Sequence, residues 1–69
     1  MEFKLAGHEF ILLQALLQVS GLSDTGGAAK NLIVNGEVLV DGEVETRRGK
    51  KIRAGQTVSY KGKQIRVVG

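Results

Sequence analysis

The densest chemistry in this 69-residue chain is a run of five cations within seven residues: Arg47, Arg48, Lys50, Lys51 and Arg53, broken by Gly49. Guanidinium forks match phosphate oxygens two at a time, and lysines add mobile point charge, so such a set suits a polyanion. Lys61 and Lys63 flank a second glycine turn, and Arg66 lies in the closing segment. If the segments between them form one sheet, two basic turns and one strand face merge into a patch. The bland reading of Arg47–Lys51 is a solvated, exposed loop. Catalytic groups are scarce by comparison. There is one histidine and no cysteine, and no two acids share an evident cleft. His8 beside Glu9 reads as a helix-start residue with a structural or solvated role. Metal sites need several His, Cys or clustered carboxylates at ligand spacing. Thr25-Gly26-Gly27 lacks the Gly-Lys-Ser/Thr ending of a nucleotide phosphate loop. The residues therefore argue against an enzyme and call for no cofactor or metal.

Charge is distributed unevenly. Residues 1–45 carry two bases and seven acids, a net of −5, whereas residues 46–69 carry eight bases and no acid, a net of +8. Such a split within one small domain is the footprint of a polyanion-binding face. Phe3, Phe10 and Tyr60 are the only aromatics, and all three sit at core-like positions, so stacking platforms of the single-strand binders are not evident. Phosphates and shape in a structured RNA or duplex are the expected targets.

Elements must position these groups within one domain. A chain of this length buries only about 60% of its unfolded surface, so its core has to be well patterned. No disulfide can assist. Ile11–Leu17 is apolar but lacks a basic flank and a cleavage site, and it is too short to span a bilayer. A soluble cytoplasmic protein is expected. Glu2–Leu5 alternates like a half-buried strand. Phe10–Val19 predicts a first helix, with Phe10, Leu13, Leu16 and Leu17 on one face and Gln14 and Gln18 opposite. Ile11, Leu12 and Val19 widen that stripe, so the helix requires cover from a second helix and a sheet. Ser20-Gly21 ends it, with Gly21 in a left-handed cap position.

Ser23, Asp24 and Thr25 are N-cap types and open the second helix. Ala28, Ala29, Leu32 and Ile33 form its packing side, and Asn35-Gly36 stops it. Glu37–Val40 predicts a strand with Val38 and Val40 on one face. Asp41-Gly42 predicts a tight hairpin turn with positive φ at both positions, and Glu43–Thr46 returns. After the basic loop come Ile52 as an apolar anchor, a turn at Ala54-Gly55-Gln56, a strand at Thr57–Tyr60, the Lys61-Gly62-Lys63 turn and a last strand at Gln64–Val68. Helices gathered ahead of a run of hairpins predict an α+β domain, two helices on one face of a small antiparallel, hairpin-rich sheet. Residues 1–69 read as one domain.

The start of the second helix adds a possible anion seat. Helix N-termini present free N–H groups. Thr25, Gly26 and Gly27 leave room for a phosphate, and Lys30 is one turn on. The alternative is a tolerated weak turn.

Read in order, Gly21-Leu22-Ser23-Asp24-Thr25, Ala29-Lys30, Leu32-Ile33, Gly36, Val38, Val40 and Asp41-Gly42-Glu43 resemble the RNA-binding domain named after small-subunit ribosomal protein S-four, built on the alpha-L motif. That motif runs Ala-Arg-x-Leu-Ile-x-x-Gly-x-Val-x-Val-Asn-Gly. Lys51–Val58 is similar to its later Lys-Val-x-Pro-Gly-Asp-x-Ile segment. The match covers most of residues 9–60, and a stand-alone domain extended by Tyr60–Gly69 resembles small bacterial members regarded as RNA-binding. The resemblance implies RNA binding through the second helix and the adjoining hairpin, with Lys30 at a basic family position. Gly26 and Asn31 stand where the family often carries basic residues, and Asp41 replaces the usual Asn. The Arg47–Arg53 run is expected to compensate. The expected protein is thus a monomeric, non-enzymatic binder of structured RNA, ribosomal or transfer RNA included. The alternative is a protein-interaction module using the apolar face of Phe10–Val19.

Overall fold

Threonine and glycine set the one long helix in register. In the computed structural model, which describes all 69 residues, α2 spans Gly26–Val34 with Thr25 as its N-cap. The Thr25 hydroxyl accepts the Ala28 N–H at 3.1 Å, satisfying one of the donors a helix start leaves free. The stop is at Asn35, as the Asn35-Gly36 pair predicts. The first helix is shorter than its composition predicts. α1 spans Leu13–Val19 only, and Ile11–Leu12 forms a short strand, β2, instead of a helical turn.

Five strands form the main sheet: β1 (Glu2–Lys4), β3 (Leu39–Val40), β4 (Glu43–Val44), β6 (Thr57–Tyr60) and β7 (Lys63–Val68). Their spatial order is β1-β7-β6-β3-β4. Three pairings are antiparallel hairpin or meander contacts, and the terminal strands β1 and β7 pair in parallel, Phe3 opposite Val67. β2 pairs antiparallel with β5 (Lys51–Ile52) in a separate two-stranded ribbon. The fold class is the expected α+β arrangement. Asp41-Gly42 turns with φ of 52° and 84°, the positive pair that a tight two-residue hairpin demands and that Asp and Gly tolerate.

The core consists of Leu13, Leu16 and Leu17 of α1, Ala29 and Ile33 of α2, and Leu5, Val38, Val40, Ile52, Val58, Ile65 and Val67 from the strands and their ends. The alternation predicted for Val38/Val40 and Ile65/Val67 is the one observed. Ala28, expected on the packing side, is exposed. It lies in the first turn, where its N–H serves the Thr25 cap. Leu13, Leu16 and Leu17 are fully enclosed, so the centre of the apolar face that a protein-interaction role would require lies in the core, while Leu12 and Val19 at its ends stay exposed. No helix is long and apolar enough to cross a membrane.

Candidate nucleic-acid interface

The basic segment is tied down by backbone. Leu12, at the N-cap of α1, contributes no side-chain cap. Instead the Leu13 N–H donates to the Lys50 carbonyl at 2.8 Å and the Gln14 N–H to the Arg48 carbonyl at 3.1 Å. Lys50 N–H closes a turn onto the Arg47 carbonyl at 3.1 Å, and Lys51–Ile52 is strand β5, not loop. This accounts for the shortened helix. The segment supplies acceptors for two donors that α1 would otherwise leave open, and Ile11–Leu12 straightens to pair with it.

Held this way, Arg47, Gly49, Lys50, Lys51 and Arg53 line a concavity of about 360 Å³ with no acidic or apolar member. Arg48 is exposed but does not line it. Lys51, on β5, and Arg53, just past its end, flank buried Ile52 and are both exposed. The Lys51 Nζ lies 4.9 Å and the Arg53 guanidinium 5.6 Å from the centre of the Phe10 ring. Phe10, expected in the first helix and its core face, is therefore a half-buried seat for two cations. Such contacts are worth about 0.5–1 kcal/mol when exposed.

Arg47 is committed differently. Its Nε and Nη2 meet the two Glu45 carboxylate oxygens at 3.0 and 3.1 Å, and its N–H donates to the same carboxylate at 3.0 Å. The side-chain hydrogen bonds from Arg47, ahead of its backbone bond, pull the Glu45 pKa down to about 2, and Glu45 raises that of Arg47 in turn. Lys50, Lys51 and Arg53 are left as the cup's cations without an acidic partner.

Gln14 links the cup to the start of α2. Its backbone N–H serves the Arg48 carbonyl, and its side-chain amide donates to the Gly26 carbonyl at 2.9 Å. A Cβ on Gly26 would come within 3.1 Å of Gln14 Nε2. Gly26 is thus where the two helices approach closely. Periodicity placed Gln14 on the solvent face of a longer helix. The signal that could have found it was Gly26 itself, small at a helix start where another helix must pass. The exposed pair Gly27 and Lys30 lies on the same first turns of α2.

The remaining candidates separate. Arg66 pairs opposite Thr57, at the end of β6 where the Thr57 N–H donates to Asp41 Oδ1 at 2.9 Å. Lys63 pairs opposite Tyr60, at the far end, roughly 10 Å away for three residues of strand. Lys61 turns there with φ of 48°, its Nζ 5.5 Å from the Tyr60 ring. The structure gathers Arg47, Lys50, Lys51 and Arg53 around one concavity, and Lys61, Lys63 and Arg66 do not line it.

Two helices against hairpins, joined at a glycine-containing helix start and flanked by a basic turn, describe an S4 domain. A model of the S4 domain matches residues 3–68, and the chain belongs to that family. It is 48% identical over 66 residues to "Putative RNA-binding protein YbcJ" of Escherichia coli (strain K12), covering 96% of this chain and 94% of the relative. It is 37% identical over 54 residues to "Probable ribosome maturation protein RlbA" of Bacillus subtilis (strain 168), covering 78% and 76%. Among solved structures it is similar to the solution structure of Escherichia coli YbcJ, described as revealing an alfaL motif involved in RNA-binding. The TM-score there is 0.76 at 47% identity, covering 99% of this chain and 86% of the other.

Proposed function

We propose that this chain is a non-enzymatic RNA-binding module that holds structured RNA by its phosphates and shape. The observation that carries the reading is the cationic cup of Arg47, Lys50, Lys51 and Arg53, fixed to α1 through backbone bonds. Arg48 adds charge beside it. The start of α2, with Thr25, Gly26, Gly27 and Lys30, supplies a second phosphate seat linked through Gln14. Lys61, Lys63 and Arg66 meet the same RNA only where it extends across the sheet. The names of the relatives support RNA as the partner class, and the ribosome-maturation relative favours ribosomal RNA over transfer RNA. A monomer acting in the cytoplasm fits a core that already encloses Leu13, Leu16 and Leu17.

The test is a salt titration of binding to a structured RNA. For each phosphate neutralised, the log–log slope steepens by about 0.7–0.9. Lys50, Lys51 and Arg53 changed together to Ala should leave the fold intact by circular dichroism and lower the slope by roughly 2–3. No binding by the wild type at low salt, or an unchanged slope in the triple variant, refutes the assignment.

A further inference from the structure

A second concavity, of about 300 Å³, adjoins the cationic cup, and Arg47 and Lys50 line both. Its character is different. Val40 and Val44 are its only apolar members, and Asp41, Glu43 and Glu45 enter the lining. A polyanion backbone lying in the cup is repelled from these acids, so what enters the second groove is the neutral part of a nucleotide.

The polar groups of the groove are unequally free. Glu45 is held by Arg47. Asp41 accepts from the Thr57 N–H, and the Gln56 side-chain oxygen accepts from the Arg53 N–H at 2.7 Å. That leaves the Gln56 amide donors open. The Glu43 backbone pairs with Val40 in the hairpin, but its carboxylate has no hydrogen-bond or ion-pair partner.

An ionised carboxylate only accepts hydrogen bonds. On Watson–Crick edges, only guanine places two donors side by side, N1–H and N2–H, next to an acceptor, O6. Adenine and cytosine turn a ring-nitrogen lone pair toward the carboxylate, and uracil flanks its single donor with carbonyl oxygens. Bases splayed from loops and bulges are read on these edges. We propose that the groove takes one unpaired guanine, with Glu43 accepting from N1–H and N2–H, the Gln56 amide donating to O6, and the adjacent phosphate in the cup. This inference rests on the RNA-binding reading above.

The test uses RNA hairpins identical except for one unpaired nucleotide: guanine, adenine or inosine, the last lacking the 2-amino group. The wild type should bind the guanine hairpin about tenfold more tightly than the adenine one, the scale of one bidentate base contact, with inosine between. Glu43→Gln and Glu43→Ala should abolish that preference and leave the adenine hairpin bound at least as tightly, because a repelling charge has gone. A merely structural role for Glu43 would weaken all three alike. Equal wild-type binding of guanine and adenine hairpins, or a preference that survives both variants, overturns the guanine site alone. Failure of every hairpin to bind at low salt overturns the RNA-binding reading together with it.

Discussion

Gln14→Ala is the most informative single change outside the cup. It removes the 2.9 Å bond to the Gly26 carbonyl but keeps the backbone bond to Arg48. A net hydrogen bond contributes about 0.5–1.5 kcal/mol. Alanine is the better helix former by a few tenths of a kcal/mol, which offsets part of this. The net cost is about 0.5–1 kcal/mol, a fall in Tm of roughly 2–8 °C for a domain of this size. Gly26→Ala tests the same contact from the other side. Its Cβ would sit 3.1 Å from Gln14 Nε2, so the amide must swing away, while alanine gains up to ~1 kcal/mol of helix propensity. Alone, the two effects nearly cancel. In the Gln14→Ala background the clash is absent and the propensity gain should appear in full. Thermal unfolding of both single variants and the double variant gives the coupling energy. An additive cycle, or an unchanged Tm in Gln14→Ala, would refute the claim that this amide joins the two helices.

Thr25→Ala should cost about 1 kcal/mol through loss of the N-cap, lowering the urea midpoint by roughly 1 M if the slope is near the low end for small proteins. The depressed Glu45 pKa means the unfolded chain binds the extra proton between about pH 4.5 and 2. The stability from the Arg47 pair is thus present above pH 4.5 and lost as pH falls through about 2. Tm measured across that window should fall less steeply in Glu45→Gln than in the wild type, with the difference shrinking in high salt. Phe10→Leu should weaken RNA binding two- to fivefold, the affinity equivalent of 0.5–1 kcal/mol, whereas Phe10→Tyr should retain it. Wild-type affinity in Phe10→Leu would remove the ring from the site.

Local signals were legible where one or two residues decide the backbone. The Thr25 cap, the Asn35-Gly36 stop and the Asp41-Gly42 turn each act within a few residues, and each stands where the pattern predicts. Ile11–Leu12 misled because Phe10–Val19 has helix composition throughout. Its conformation is decided by carbonyls and a strand almost forty residues away, a tertiary override of propensity. The parallel pairing of β1 with β7 joins the two chain ends, which no local period encodes. The basic cluster was legible as charge but not as shape. That Phe10 seats two of its cations, that Arg47 is neutralised by Glu45, and that Lys61 and Lys63 lie elsewhere all depend on register. Gln14 was hidden because a polar residue at that spacing reads as solvent-facing.

The bonds that anchor the basic turn to α1 run to the carbonyls of Arg48 and Lys50, and carbonyls are common to every residue type. The scaffold therefore specifies the length and path of this segment while leaving the side chains of Arg48 and Lys50 without a hydrogen-bond or ion-pair partner. A substitution at 48 or 50 can rewrite what the surface recognises without disturbing how the domain folds. A one-residue insertion would leave every charge in place and uncap the helix. Recognition and folding are written here on separate parts of the same five residues.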